Sequence, residues 1–139
     1  MMRWPGGWLF LPAVLFWGGA AFADDAPADC AHAVTQTDMN ICANLDYERA
    51  DKELNAQYRK TRTEMASWDA DLDNNLKGAE AALVKAQRAW IDYRDAQCAA
   101  EGFEARGGSM EPMLVSNCLA GLTRQRTKEL RQLAEGLGN

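Results

Sequence analysis

Histidine occurs once in the 139 residues, at His32, and no two cysteines are spaced C-x-x-C, so the usual ligand sets for zinc are missing. Beyond the first two dozen residues valine and isoleucine are scarce and no stretch alternates apolar with polar side chains, which argues against strands. No G-x-S-x-G turn is present, and Gly107 and Gly108 lack the preceding strand that phosphate loops require. Ser109 and Ser116 lie far in sequence from His32. Carboxylates are plentiful, but abundance in an acidic chain is not a catalytic pair. These absences point to a protein that is not an enzyme, with no cofactor and no metal site.

The apolar run over residues 8–17 is too short, and too interrupted by glycine and proline, for a membrane span of about 20 residues. It follows one cation, Arg3, and leads into Ala21-Phe22-Ala23, the order of a secretory signal. Residues 1–23 are therefore expected to be a signal peptide and residues 24–139 one exported, periplasmic domain, with no stable membrane insertion after cleavage. Pro27 and Asp29 ahead of Cys30 make a poor lipid-attachment site. The leader takes with it three of the five tryptophans and three of the four phenylalanines, but only Arg3 of the 15 basic residues. What is left has 14 basic and 20 acidic residues, a charge of −6. Such a surface repels nucleic acid and anionic membranes and attracts cationic partners.

All four cysteines, Cys30, Cys42, Cys98 and Cys118, follow the leader, and an even count in a small exported domain reads as two disulfides. Three pairings are open. Cys30 with Cys42 and Cys98 with Cys118 is preferred, because each closes a short loop at one end of a helix.

Three helical patterns follow. Thr35 or Thr37 can cap the first, with Asp38 at the capping-box position relative to Thr35, and Met39, Ala43, Tyr47, Ala50, Leu54, Tyr58, Thr61 and Met65 repeat on one face. A polar break is expected at Ser67-Trp68-Asp69-Ala70-Asp71. Leu76, Ala79, Leu83, Ala86, Trp90, Tyr93 and Gln97 mark the second helix, at near-heptad spacing. After the loop at residues 101–112 the third is expected over residues 110–137, with Ser109 as cap, Leu119, Leu122, Leu130, Leu133 and Leu137 as its stripe, and Gly138 as its stop. The expected fold is all-α: an antiparallel bundle of three long helices stapled by two disulfides.

Two arginines disturb these stripes, Arg94 at the edge of one and Arg126 inside another. An arginine there either reaches past the core to water or meets a carboxylate. A polar network of Asp51, Arg94 and Arg126 that fixes helix register is the expectation.

The segments C-x11-C around Thr35-Gln36-Thr37-Asp38-Met39-Asn40-Ile41-Cys42, Ala50-Asp51-x-x-Leu54-Asn55-x-x-Tyr58, Ala86-Gln87-x-x-Trp90-Ile91-x-Tyr93-Arg94-Asp95-x-x-Cys98, Gly107-Gly108-Ser109 and Cys118-x-x-x-Leu122-Thr123-x-x-Arg126 resemble the lysozyme inhibitor LprI-type domain. The resemblance covers nearly all of the chain past the leader. It implies a disulfide-stapled helical envelope protein that binds lysozyme and blocks cell-wall hydrolysis. Some members are lipoproteins; the poor site at Cys30 makes this chain similar to a soluble periplasmic form. An acidic domain would be steered to a cationic lysozyme or other wall hydrolase, and a projecting loop could occlude the cleft that holds the enzyme's carboxylate pair. On that reading the contact residues are the glycine loop of Gly107, Gly108 and Ser109, with Phe103 and Met110 as apolar anchors and Glu101, Glu104 and Glu111 as exposed acids. The alternative is a non-catalytic envelope adaptor or an immunity-type module.

Overall fold

The structure, a computed structural model, describes residues 29–136. The expected leader and its cleavage point, and the expected stop at Gly138 with Leu137, lie outside the described residues. Three helices run in order: α1 (Gln36–Ala70), α2 (Ala79–Gly102) and α3 (Glu111–Glu135), with a single 3-10 turn, Phe103–Ala105, between the last two. No strand occurs among the described residues, and none of their helices is long and apolar enough to cross a membrane.

Thr35 caps α1: its Oγ1 accepts from the Asp38 N–H at 3.1 Å and donates to the Asp38 carboxylate at 2.6 Å. This satisfies one of the orphan donors of the first turn. The helix then runs through the expected break at residues 67–71 as far as Ala70. Trp68 accounts for the extension, since it packs against the core and its indole N–H donates to Glu64 one turn back at 3.2 Å. The turn lies later, at residues 71–78, and α2 starts at Ala79, so Leu76 stands outside the helix and is 61% exposed.

Successive helices run antiparallel, which makes α1 and α3 parallel. Contacts from Gln36 to Met113, Asp46 to Arg124 and Thr61 to Leu130 advance together along both. These two helices share the most extensive interface. Both bury small side chains, Ala43, Ala50 and Thr61 on one and Ser116, Ala120, Thr123 and Thr127 on the other, and small side chains shorten the distance between packed helices. The Thr61 hydroxyl donates across the seam to the Leu130 carbonyl at 2.9 Å. The buried line of α3 is thus Ser116, Ala120, Thr123 and Thr127 together with Leu130, the member of the expected leucine stripe that is fully buried. Leu119 and Leu122 are half-buried and Leu133 is exposed.

On α2 the buried line is Leu83, Gln87, Arg94, Cys98 and Gly102, with Trp90 half-buried. Ala86 and Tyr93, expected on the inner face, point outward, Tyr93 with 56% of its surface exposed. The spacing from Leu83 through Trp90 to Gly102 is mostly four residues, so the seam drifts away from a heptad and carries a glutamine and an arginine inward. Large apolar side chains gather in one half of the bundle: Leu54, Met65, Leu83 and Leu130, with Tyr58, Trp68, Ala79 and Trp90 around them.

Both disulfides lie at the opposite end. Cys30 is bonded to Cys42 on α1, and Cys98 near the end of α2 to Cys118 on α3. Beside the second bond α2 and α3 touch closely. A Cβ built on Gly102 would stand 2.6 Å from Val115 Cγ2, a distance only glycine avoids without movement.

Candidate partner-binding surface

Helix α2 ends at this stapled end and the chain must reverse into α3 within a few residues. The 3-10 turn at Phe103–Ala105 begins the reversal, with the Arg106 N–H donating to the Phe103 carbonyl at 3.2 Å. Gly107 completes it at φ +78°, a left-handed conformation that glycine adopts without a Cβ clash. The Gly108 N–H donates to the Ala105 carbonyl at 2.9 Å, and the Ser109 carbonyl accepts from Asn40 Nδ2 on α1 at 2.9 Å. Ser109 therefore serves through its backbone. Met110 is the residue at the cap position of α3, and no side chain caps that helix.

Glu111, in the first turn of α3, holds the loop. One carboxylate oxygen accepts from the Gly107 N–H at 2.9 Å and the other from Arg106 Nη1 at 2.7 Å. The Gly107 N–H foremost, then Arg106, lowers its pKa below the ordinary glutamate value, against a small opposing effect of burial. Its side chain is 22% exposed, so it braces the loop and is not the freely exposed acid expected from sequence. Glu101 and Glu104 are exposed. Phe103 is 62% exposed and Met110 also faces outward, and the Arg106 guanidinium lies over the Phe103 ring at 4.7 Å from its centroid.

Charge is distributed unevenly along the bundle. α1 carries no lysine or arginine before Arg49, α3 none before Arg124, and Arg94 is the last cation of α2. Among the described residues Arg106 is thus the lone lysine or arginine of the stapled end, against Asp38, Glu101, Glu104, Glu111 and Asp29, the last within 2.8 Å of His32. Exposed Val34 belongs to the same end, next to the Thr35 cap. The result is an acidic tip with outward-facing phenylalanine, methionine and valine, on a backbone tied by two disulfides.

The polar seam lies deeper. The Arg94 side chain is 8% exposed and meets Asp51 at 3.5 Å and Asp95 at 2.8 Å. It is flanked by the Tyr47 and Trp90 rings at 5.5 and 5.1 Å, and burial foremost raises the pKa of Tyr47. Arg126 does not reach Asp51. Its Nε donates to Gln87 at 3.1 Å and its Nη1 to Glu129 at 3.0 Å, and Trp90, 6.0 Å away, is its link to Arg94. Such a group can satisfy buried polar atoms and set the relative positions of helices.

Among the described residues no group of three or more His, Cys, Asp or Glu could hold a metal ion, and no cysteine is free. Reading the sequence passed over Arg106. Its signal was present as Phe103-x-x-Arg106, a spacing that stacks the two side chains only once a helical turn forms there.

The family model described as Lysozyme inhibitor LprI matches residues 28–130. An uncharacterized protein of Rhizobium meliloti (strain 1021) is 57% identical over 122 residues, covering 86% of this chain and 88% of that protein. A crystal structure of a DUF1311 family protein from Pseudomonas putida KT2440 superposes with a TM-score of 0.62 at 23% identity, over 73% of this chain and 96% of that one. That likeness concerns the fold.

Proposed function

The chain belongs to the Lysozyme inhibitor LprI family, and from that footing we propose that it is an exported, non-catalytic protein of the periplasm that binds and blocks a cationic lysozyme or a related cell-wall hydrolase. The observation that carries this reading is the stapled end: acids with a single internally paired arginine, and exposed Phe103 and Met110 on a tied loop. Charge of one sign draws a cationic partner from a distance, and aromatic anchors hold it on contact. Occluding a cleft requires no chemistry from the inhibitor.

The test is to titrate the chain from Asp24 onward into a lysozyme lysis assay. Protection is expected to saturate at one inhibitor per enzyme and to weaken as salt is raised, because screening shortens the reach of surface charge to about 10 Å at 0.1 M. Reversing Glu101 and Glu104 to lysine is expected to cut affinity at least tenfold, mainly by slowing association. No protection at large molar excess, with a different periplasmic protein recovered by pull-down, would favour the adaptor or immunity-type module instead.

A further inference from the structure

The arginine of the stapled end is out of place on a surface meant for a cationic partner, and its contacts suggest why it is there. Arg106 Nη1 lies 2.7 Å from one oxygen of Glu111, whose other oxygen accepts from the Gly107 N–H. Its guanidinium covers one face of Phe103 at 4.7 Å. Glu111 in turn sits on α3, which Cys118 joins to α2 through Cys98. A continuous set of contacts therefore runs from the disulfide-tied helices through Glu111 and Arg106 to a ring that is 62% exposed. The rest of the fold gains little from fixing a ring that it leaves mostly in water. A binding surface gains more, since immobilising a free side chain is part of what association costs.

We propose that Arg106 is a positioning residue: clamped by Glu111 and laid against Phe103, it presents that ring as a preset anchor for a cationic protein partner. The inference rests on reading the stapled end as the binding surface, and it separates two roles that the sequence merged. Phe103 touches the partner; Arg106 and Glu111 hold Phe103.

Electrostatics and positioning predict opposite signs for one substitution. Arg106→Gln removes the one arginine that the described residues place at this end, so charge alone would make a cationic partner bind more tightly. As the brace of Phe103, its loss makes binding looser. The experiment measures association and dissociation rates of a purified cationic lysozyme with the wild-type chain, Arg106→Gln, Phe103→Ala and the double variant, each checked for an unchanged melting temperature. The expected result is affinity about 3- to 10-fold lower for Arg106→Gln, through faster dissociation. In the Phe103→Ala background the same substitution should cause no loss. Arg106→Lys keeps the charge but lacks the flat guanidinium that stacks on a ring, and it should also weaken binding; this variant decides the matter if Arg106→Gln fails to fold.

Tighter or unchanged binding by Arg106→Gln, beside a wild type that binds, overturns the positioning role and leaves the proposed function standing. An equal loss with and without Phe103 overturns it too, since the arginine would then act by another route. A wild type that does not bind the lysozyme takes down both readings.

Discussion

The two ends of the bundle hold their chain reversals by different means. At the stapled end the buried positions are small: Ala43, Gly102, Ser116 and Ala120 beside Cys98. Little apolar area is available there, and two disulfides and a close glycine contact hold the helices together. At the other end Leu54, Met65, Leu83 and Leu130 supply the apolar burial. No covalent link is present there, and the turn at residues 71–78 is held by the Leu76 N–H on the Asp73 carbonyl, by the Arg62–Glu80 ion pair beside it, and above all by one carboxylate, Asp69, which accepts from the N–H groups of Gly78, Ala79 and Glu80 at 2.7, 2.9 and 3.1 Å. The end with little core is the one stapled, and it is also the one that exposes Phe103 and Met110. Crosslinks compensate for missing burial in small domains, and here they leave Phe103 and Met110 exposed on a tied frame.

The largest effect expected from breaking this contrast comes from replacing Cys98 and Cys118 together with serine. A closed loop of 20 residues restricts the unfolded chain enough to contribute about 3 kcal/mol, and Cys98 is fully buried besides. Denaturant unfolding should show that loss. Replacing Cys30 and Cys42, which close a loop of 12 residues with Cys30 exposed, should give a smaller one. Equal midpoints for all three proteins would mean that packing alone holds the stapled end.

Next in size is Gly102→Ala. The added methyl group would sit 2.6 Å from Val115 Cγ2, so α2 and α3 must part or Val115 must leave its rotamer. Overpacking of this kind costs about 1–3 kcal/mol. A further change, Val115→Ala, makes room for the methyl and should recover part of the loss, which ties the effect to that contact and not to helix propensity.

How far the sequence foretold all this depends on the physical signal. Helix number and disulfide pairing were legible, since both rest on local spacing: Thr35 with Asp38 at the start of α1, and cysteines that close short loops at helix ends. The buried faces of α2 and α3 were less so. Hydrophobicity picks out Leu83 and Leu130, which are buried, but also Leu119, Leu122, Leu133, Ala86 and Tyr93, which are not fully so. The fold buries Thr123, Thr127, Gln87 and Arg94 as well, because close helix approach selects for size and a paired arginine can be buried. Of the candidate site, the exposed Phe103, Met110, Glu101 and Glu104 follow from a polar loop rich in glycine. The bracing role of Glu111 does not, since it depends on where Gly107 turns its N–H. The charge division between the two ends was present in the sequence, but it becomes spatial only when α1 and α3 are known to run parallel.

The finest separation of the two ends is by acid. Three backbone N–H groups, first that of Gly78, lower the pKa of Asp69 below the ordinary aspartate value. A carboxyl whose folded pKa is depressed contributes stability above its unfolded pKa of about 3.9, and that contribution fades as pH falls through the folded value. Glu111 at the stapled end shifts in the same direction, so acid releases a carboxylate brace at each end, but only one end has disulfides behind it. Below about pH 4 amide exchange at Gly78, Ala79 and Glu80 should therefore quicken before exchange around Cys98 and Cys118 does. Asp69→Asn should remove most of that pH dependence and lower the melting temperature at neutral pH by less than Gly102→Ala. If exchange accelerates at both ends together, the bundle opens as one cooperative unit, and the contrast between covalent and electrostatic closure has no bearing on how it comes apart.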